Sequence, residues 1–166
     1  MSFIADIRVV SKSLLPEIKA IQDEVIEGWA EEDFEVFAKF TKFFEENTRM
    51  LGDEDNSGTV YIDLITYLQQ KGIDLEHGEL SEMTGEFEEA TEMMYFFLTI
   101  ADRKSLLDSM DPSLFSAEEF QAYVAELYHF TDANDYGDRM MEGLGIIYNG
   151  LKNLKDDEVI NVQVFG

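Results

Sequence analysis

The sequence predicts a helix-rich α+β fold, with short N- and C-terminal strands pairing in a small sheet packed against several amphipathic helices. Three observations predict it. Residues 3–10 (FIADIRVV) and 159–165 (VINVQVF) are β-branched, partly alternating runs of the kind that form half-buried strands. Between them, apolar residues recur at spacings of three and four, which puts them on one face of a helix. Composition completes the case: 45% hydrophobic and 13% aromatic residues are too many for a disordered acidic chain. At 166 residues the chain reads as one domain, 1–166, with no internal repeat or linker.

The elements follow in order. Ser11 or Ser13 caps a first helix that takes Pro16 in its first turn, buries Leu15, Ile18, Ile21, Val25 and Ile26, and ends by Gly28. Residues 32–50 form a second helix with Phe34, Phe37, Phe40 and Phe44 as its core stripe. The polar run GDEDNSG at 52–58 breaks the chain. Residues 59–62 then form a brief strand or lead straight into a helix capped by Asp63, helical to Gln70 and stopped by Gly72. Residues 73–85 read as irregular. Residues 86–110 read as one or two helices with a break near Asp102 and Arg103, closed by the Asp111-Pro112 step. Ser116 and Glu119 form a capping box that opens a helix to about Phe130, and residues 139–154 form the last helix before the closing strand.

Charge is the extreme property, with 36 Asp and Glu against 12 Lys and Arg and a net charge of −24. Such a field repels phosphate backbones and anionic membrane surfaces, and it attracts basic proteins and divalent cations. Direct nucleic-acid binding and membrane association are therefore not expected. The chain has no cysteine, hence no disulfide framework or thiolate site, and no basic-then-apolar leader or membrane-length apolar run, which together suit a cytoplasmic protein.

Several motifs bear on chemistry. Residues 53–64 resemble an EF-hand calcium loop, with Asp53, Asp55 and Ser57 at positions one, three and five and Gly58 at the sharp turn. Position twelve is Leu64 instead of the bidentate Glu, so only Asp63 stands near the missing ligand, and the affinity for Ca2+ should be weak. A poorer echo at 131–143 has Asp132, Asn134 and Gly137. Two solvent-facing Asp/Asn/Gly turns are the plainer reading of both. Glu126 and His129 have the Glu-x-x-His spacing of di-iron bundles, but His77, the other histidine, lies outside a helical pattern. No nucleophile elbow, P-loop or Gly-x-Gly-x-x-Gly occurs, so neither an enzyme nor a cofactor is expected. A small hydrolase using an unrecognised carboxylate pair stays as an alternative, because carboxylates are so abundant.

The opening strand with its Ser-started helix, the DPSLFSAEEF segment and the closing helix before VINVQVFG resemble the layout of the YfbM-like family of small bacterial proteins. The chain departs from that layout through residues 52–85. The resemblance implies an α+β fold and an intracellular bacterial protein that binds a partner, and it carries over no catalytic residue. The leading expectation is a non-enzymatic immunity, inhibitor or nucleic-acid-mimic module that engages a basic protein through acidic helix faces. Glu31, Glu32, Glu35, Glu45 and Glu46 would form one face, and Glu86, Glu88, Glu89 and Glu92 another.

Overall fold

A computed structural model describes residues 3–52, 57–129 and 135–166. Strand β1 (Ile4–Ser11) leads through a 3-10 turn at Lys12–Leu14 into α1 (Leu15–Glu31) and α2 (Phe34–Asn47). After β2 (Arg49–Met50) come α3 (Gly58–Gln70), α4 (Ser81–Thr91), β3 (Met94–Leu98) and α5 (Ile100–Leu106). A second 3-10 turn, Pro112–Leu114, precedes α6 (Ala117–Tyr128), α7 (Tyr136–Lys152) and β4 (Glu158–Phe165). Among the described residues no helix is long and apolar enough to cross a membrane.

The terminal strands do pair. β1 and β4 run antiparallel from Ile4 opposite Phe165 to Ser11 opposite Glu158, as the two central strands of the order β2-β1-β4-β3. Alternation sends Ala5, Ile7 and Val9 with Ile160, Val162 and Val164 to one face, where α3, α6 and α7 pack on them. The other face carries Val10, Val159, Tyr95 and Phe97 under Phe40 and Phe44 of α2, Ile18 and Val25 of α1, and Phe87 of α4. The sheet is thus the middle of three layers. Its second face is also polar, since Arg8, Asn161 and Gln163 are buried there, with Arg8 Nε 2.7 Å from Asp6 and Nη1 3.3 Å from Thr48 Oγ1.

Local chemistry explains most boundaries. Ser11 caps the 3-10 turn and Pro16 sits in the first turn of α1, where its missing N–H is no loss. That helix runs past Gly28 to Glu31 and stops at Glu32 in the left-handed region, φ 57°. Gly137 lets α6 and α7 cross closely: a Cβ there would lie 2.0 Å from the Ala117 carbonyl oxygen. Gly72, at φ +82°, ends α3 as expected.

Five further expectations about the elements need correction. The second helix stops at Asn47, because Arg49 and Met50 pair with Val9 and Arg8 at the sheet edge. Asp63 caps nothing; α3 begins at Gly58 after Ser57, and Asp63 is buried within it. The segment 73–85 is not irregular throughout, since α4 begins at Ser81. The single apolar segment at 86–110 is α4, then β3, then α5, and Asp102 lies inside a helix instead of at a break. Here Glu92 adopts φ 57°, and Thr99 and Asp102 form a reciprocal capping box that starts α5. Finally, Ser116 Oγ accepts from Glu119 N at 3.1 Å, but Glu119 turns its carboxylate to the Tyr67 hydroxyl and, at 3.3 Å, to Lys71.

Candidate functional site

Acidic charge is unevenly divided between the two helical layers. Helices α1, α2 and α4 carry twelve carboxylates and three lysines, whereas α3, α6 and α7 carry six carboxylates, one arginine and one lysine. All three lysines of the acidic layer are already committed within it: Lys19 to Asp23 at 3.2 Å, Lys42 to Glu46 at 3.7 Å, and Lys39 to Glu24 across the α1–α2 hairpin. Exposed pairs of this kind add little stability, but they leave the remaining carboxylates without counter-charge.

The tip of that hairpin concentrates the feature. Glu32 and Asp33 connect the helices, and Asp33 Oδ1 accepts from Glu35 N at 3.0 Å, capping α2. Glu27, Glu31, Glu32 and Glu35 are exposed around it. Among them stand two large aromatics, Trp29 at 43% exposure and Phe34 at 78%. Phe34 is therefore not part of the core stripe. Trp29 leans edge-on against Phe37, ring centres 5.1 Å apart, so its position is fixed by packing.

The expected acidic residues are brought together only in part. Glu31, Glu32 and Glu35 share the tip, but Glu45 and Glu46 lie at the far end of α2, about 15 Å along its axis. On α4, Glu86 and Glu89 are exposed, as is Glu92 just beyond its end. Glu88 is not part of that face: its Oε1 accepts from Tyr95 N at 3.1 Å, covering the outer edge of β3. Burial raises the pKa of Glu88, the Tyr95 hydrogen bond opposes that, and nearby Glu76 raises it further. Between α1 and α4, Lys19, Glu79, Leu80, Glu82, Met83 and Glu86 line an open groove of about 390 Å3. Glu79 and Glu82 were legible as acidic residues, but nothing in the local pattern placed them beside Lys19.

Asp63 belongs to a different arrangement. Its carboxyl oxygens accept from Tyr128 at 2.9 and 3.1 Å and from Tyr136 at 2.5 Å, joining α3 to α6 and α7. Burial and then the adjacent Asp63 carboxyl raise Tyr128 to about 12 and raise Tyr136 as well. Both phenols are held as neutral donors, which makes this a clamp between helices. An acidic residue in the apolar run YIDLITYL is the signal in the sequence that is available for such a clamp. Of the other calcium-loop residues, Ser57 sits at the start of α3, while Asp53 and Asp55 lie outside the described residues, as do Asp132 and Asn134. Among the described residues no group of three or more His, Asp or Glu is arranged to hold a metal ion.

The histidines stay apart. His77 Nδ1 lies 3.0 Å from Asp74 Oδ2, which raises the imidazole pKa through that hydrogen bond and the carboxylate charge. His129 follows α6 at φ 56°, so it leaves the helical face that carries Glu126.

Compared with known proteins, the chain matches no protein-family model, no curated protein and no solved structure.

Proposed function

We propose that the chain is a non-enzymatic binding module, of the immunity, inhibitor or nucleic-acid-mimic type, that docks a basic protein partner on its α1–α2–α4 layer. The observation that carries this reading is the hairpin tip, where exposed Trp29 and Phe34 stand among exposed Glu27, Glu31, Glu32 and Glu35. Large aromatic side chains concentrate binding energy when a partner buries them, and a polar rim commonly surrounds such anchors. The unneutralised carboxylates steer a cationic surface toward them and reject an anionic one. The acidic groove beside α4 extends the same surface toward the far end of α1.

The test is affinity capture from the native host, run in parallel with four proteins: the wild type, Trp29→Ala/Phe34→Ala, Glu31→Lys/Glu35→Lys, and Glu118→Lys as a control on α6. A basic protein retained by the wild type and the control, lost from both tip variants and released by added salt, supports the reading. Recovery of the same proteins by all four, or of no basic protein, refutes it. Trp29 is the only tryptophan in the chain, so its fluorescence then reports docking of a purified partner directly.

A further inference from the structure

A separate cleft opens on the other side of the molecule, between α7 and the β2 edge of the sheet, with a volume of about 460 Å3. This is within the usual range for small-ligand sites. Leu51 and Ile146 supply apolar wall, and Arg49, Glu142, Asn149 and Glu158 supply polar groups. Arg49 is exposed and forms no ion pair with a described carboxylate, although acidic residues outnumber basic ones 36 to 12.

The glycines of α7 sharpen the point. A Cβ on Gly143 would lie 3.2 to 3.3 Å from Tyr61 and Leu64, and one on Gly150 would meet Leu51 Cδ1 at 2.5 Å, so packing accounts for both. Gly145 is different. A Cβ there would meet nothing within 4 Å, yet the residue lies in the interior of α7 and lines the cleft. Glycine at such a position costs about 1 kcal/mol relative to alanine. With no side chain at Gly145, the cleft stays open along this stretch of α7.

We propose that this cleft binds a short zwitterionic peptide of about three residues. The guanidinium of Arg49 takes the terminal carboxylate, Glu142 or Glu158 takes the terminal ammonium, and the Asn149 amide, both donor and acceptor, matches a peptide group. Along the α7 wall of the cleft, Glu142 and Asn149 are separated by a rise of about 10 Å, so a ligand that lies beside both is about three extended residues long. The two carboxylates disfavour a simple anion and Arg49 disfavours a bare cation. The inference does not depend on the acidic layer.

The experiment is an NMR titration of the 15N-labelled full chain with trialanine, its N-acetyl and C-amide forms, and free alanine. Trialanine should shift the Gly145 and Gly150 amides and saturate at about 1 mM or below. Each blocked form should bind several-fold more weakly, and in Arg49→Leu the trialanine and amide forms should become equal. Gly145→Leu should abolish the shifts. Gly85→Ala, a glycine in the interior of α4 with open space around it, is the matched control and should leave them intact. The proposal fails if no arm shifts these amides at about 10 mM, or if binding survives Gly145→Leu. Alanine binding as tightly as trialanine would overturn the peptide assignment.

Discussion

The phenol of Tyr136 donates a 2.5 Å hydrogen bond to Asp63 Oδ2, tying the first residue of α7 to the second turn of α3. Asp63 is 3% exposed, so this contact takes the place of water around a buried carboxyl group. Tyr136→Phe should lower unfolding free energy by about 1–3 kcal/mol. Asp63→Leu should cost more than Asp63→Asn, because leucine leaves both phenols without an acceptor while asparagine still accepts from one. Urea unfolding at constant m-value measures all three, and an unchanged midpoint in Tyr136→Phe would show that the clamp carries no stability.

The same clamp sets an alkaline limit. Burial and then Asp63 raise Tyr128 to about 12 and raise Tyr136, and burial raises Tyr61 and Tyr95, so the folded protein holds these phenolic protons more tightly than the unfolded chain, where tyrosine ionises near pH 10. Below about pH 10 both states are protonated and stability is unaffected by these groups. Above it the unfolded chain loses protons first, and stability falls as pH rises through about 12. Phenolate absorbance should therefore lag in part of the seven tyrosines and then rise together with loss of helical circular dichroism. Titration of all seven near pH 10 without unfolding would contradict the burial.

Glu88→Gln should stabilise the protein at pH 7. Glutamine keeps an oxygen for Tyr95 N and removes a carboxylate whose pKa is raised chiefly by burial. A raised carboxyl pKa means the charged form is the disfavoured one in the fold, so the gain should be present at neutral pH and shrink as pH falls through the raised pKa toward about 4.5 and below. A Tm rise of about 2 °C at pH 7, absent at pH 4, is the expected result. A loss of stability at pH 7 would mean that the charge strengthens the Tyr95 contact more than burial penalises it.

The acidic layer should make stability depend on salt. With its lysines already paired, α1, α2 and α4 repel one another through Glu79, Glu82, Glu86 and the hairpin carboxylates. Raising ionic strength from about 0.01 to 0.15 M shortens the screening length from about 30 to 8 Å, and Tm should rise by several degrees. Glu86→Lys should raise Tm at low salt more than Glu118→Lys on the opposite layer. Equal effects would mean that the two layers carry equivalent fields.

The elements readable in advance are those that repeat a simple pattern. β1 and β4 alternate, α1 and α2 carry apolar stripes, and α6 announces itself through Ser116 and Glu119. β3 was hidden because it is covered on both faces: Tyr95 and Phe97 point to one core, Phe96 and Leu98 to the other, so MYFFL shows no alternation and continues the helical-looking run before it. β2 is only two residues and exists because β1 offers an edge to pair with. For the surface, composition gave the charge and helical spacing gave candidate faces. Glu88 left its face because Tyr95 N, close in space but on a different element, needed an acceptor. Trp29 and Phe34 were legible as aromatics, but their exposure depends on where the α1–α2 hairpin turns, and Glu32 and Asp33 fix that turn through backbone geometry and capping.

The central position of β1 and β4 also bears on how the chain acquires its structure. Among the described residues β3 pairs only with β4, so a nascent chain that has not yet released residues 158–165 from the ribosome holds β1 and β3 with no strand between them. Helices can form as they emerge, but the three layers have no common platform until β4 inserts, and that step joins residues 147 (Ser11 and Glu158) to 161 (Ile4 and Phe165) positions apart. Cooperative folding therefore waits for β4. A fragment ending before Glu158 should expose the apolar sides of both layers and depend on chaperones or aggregate.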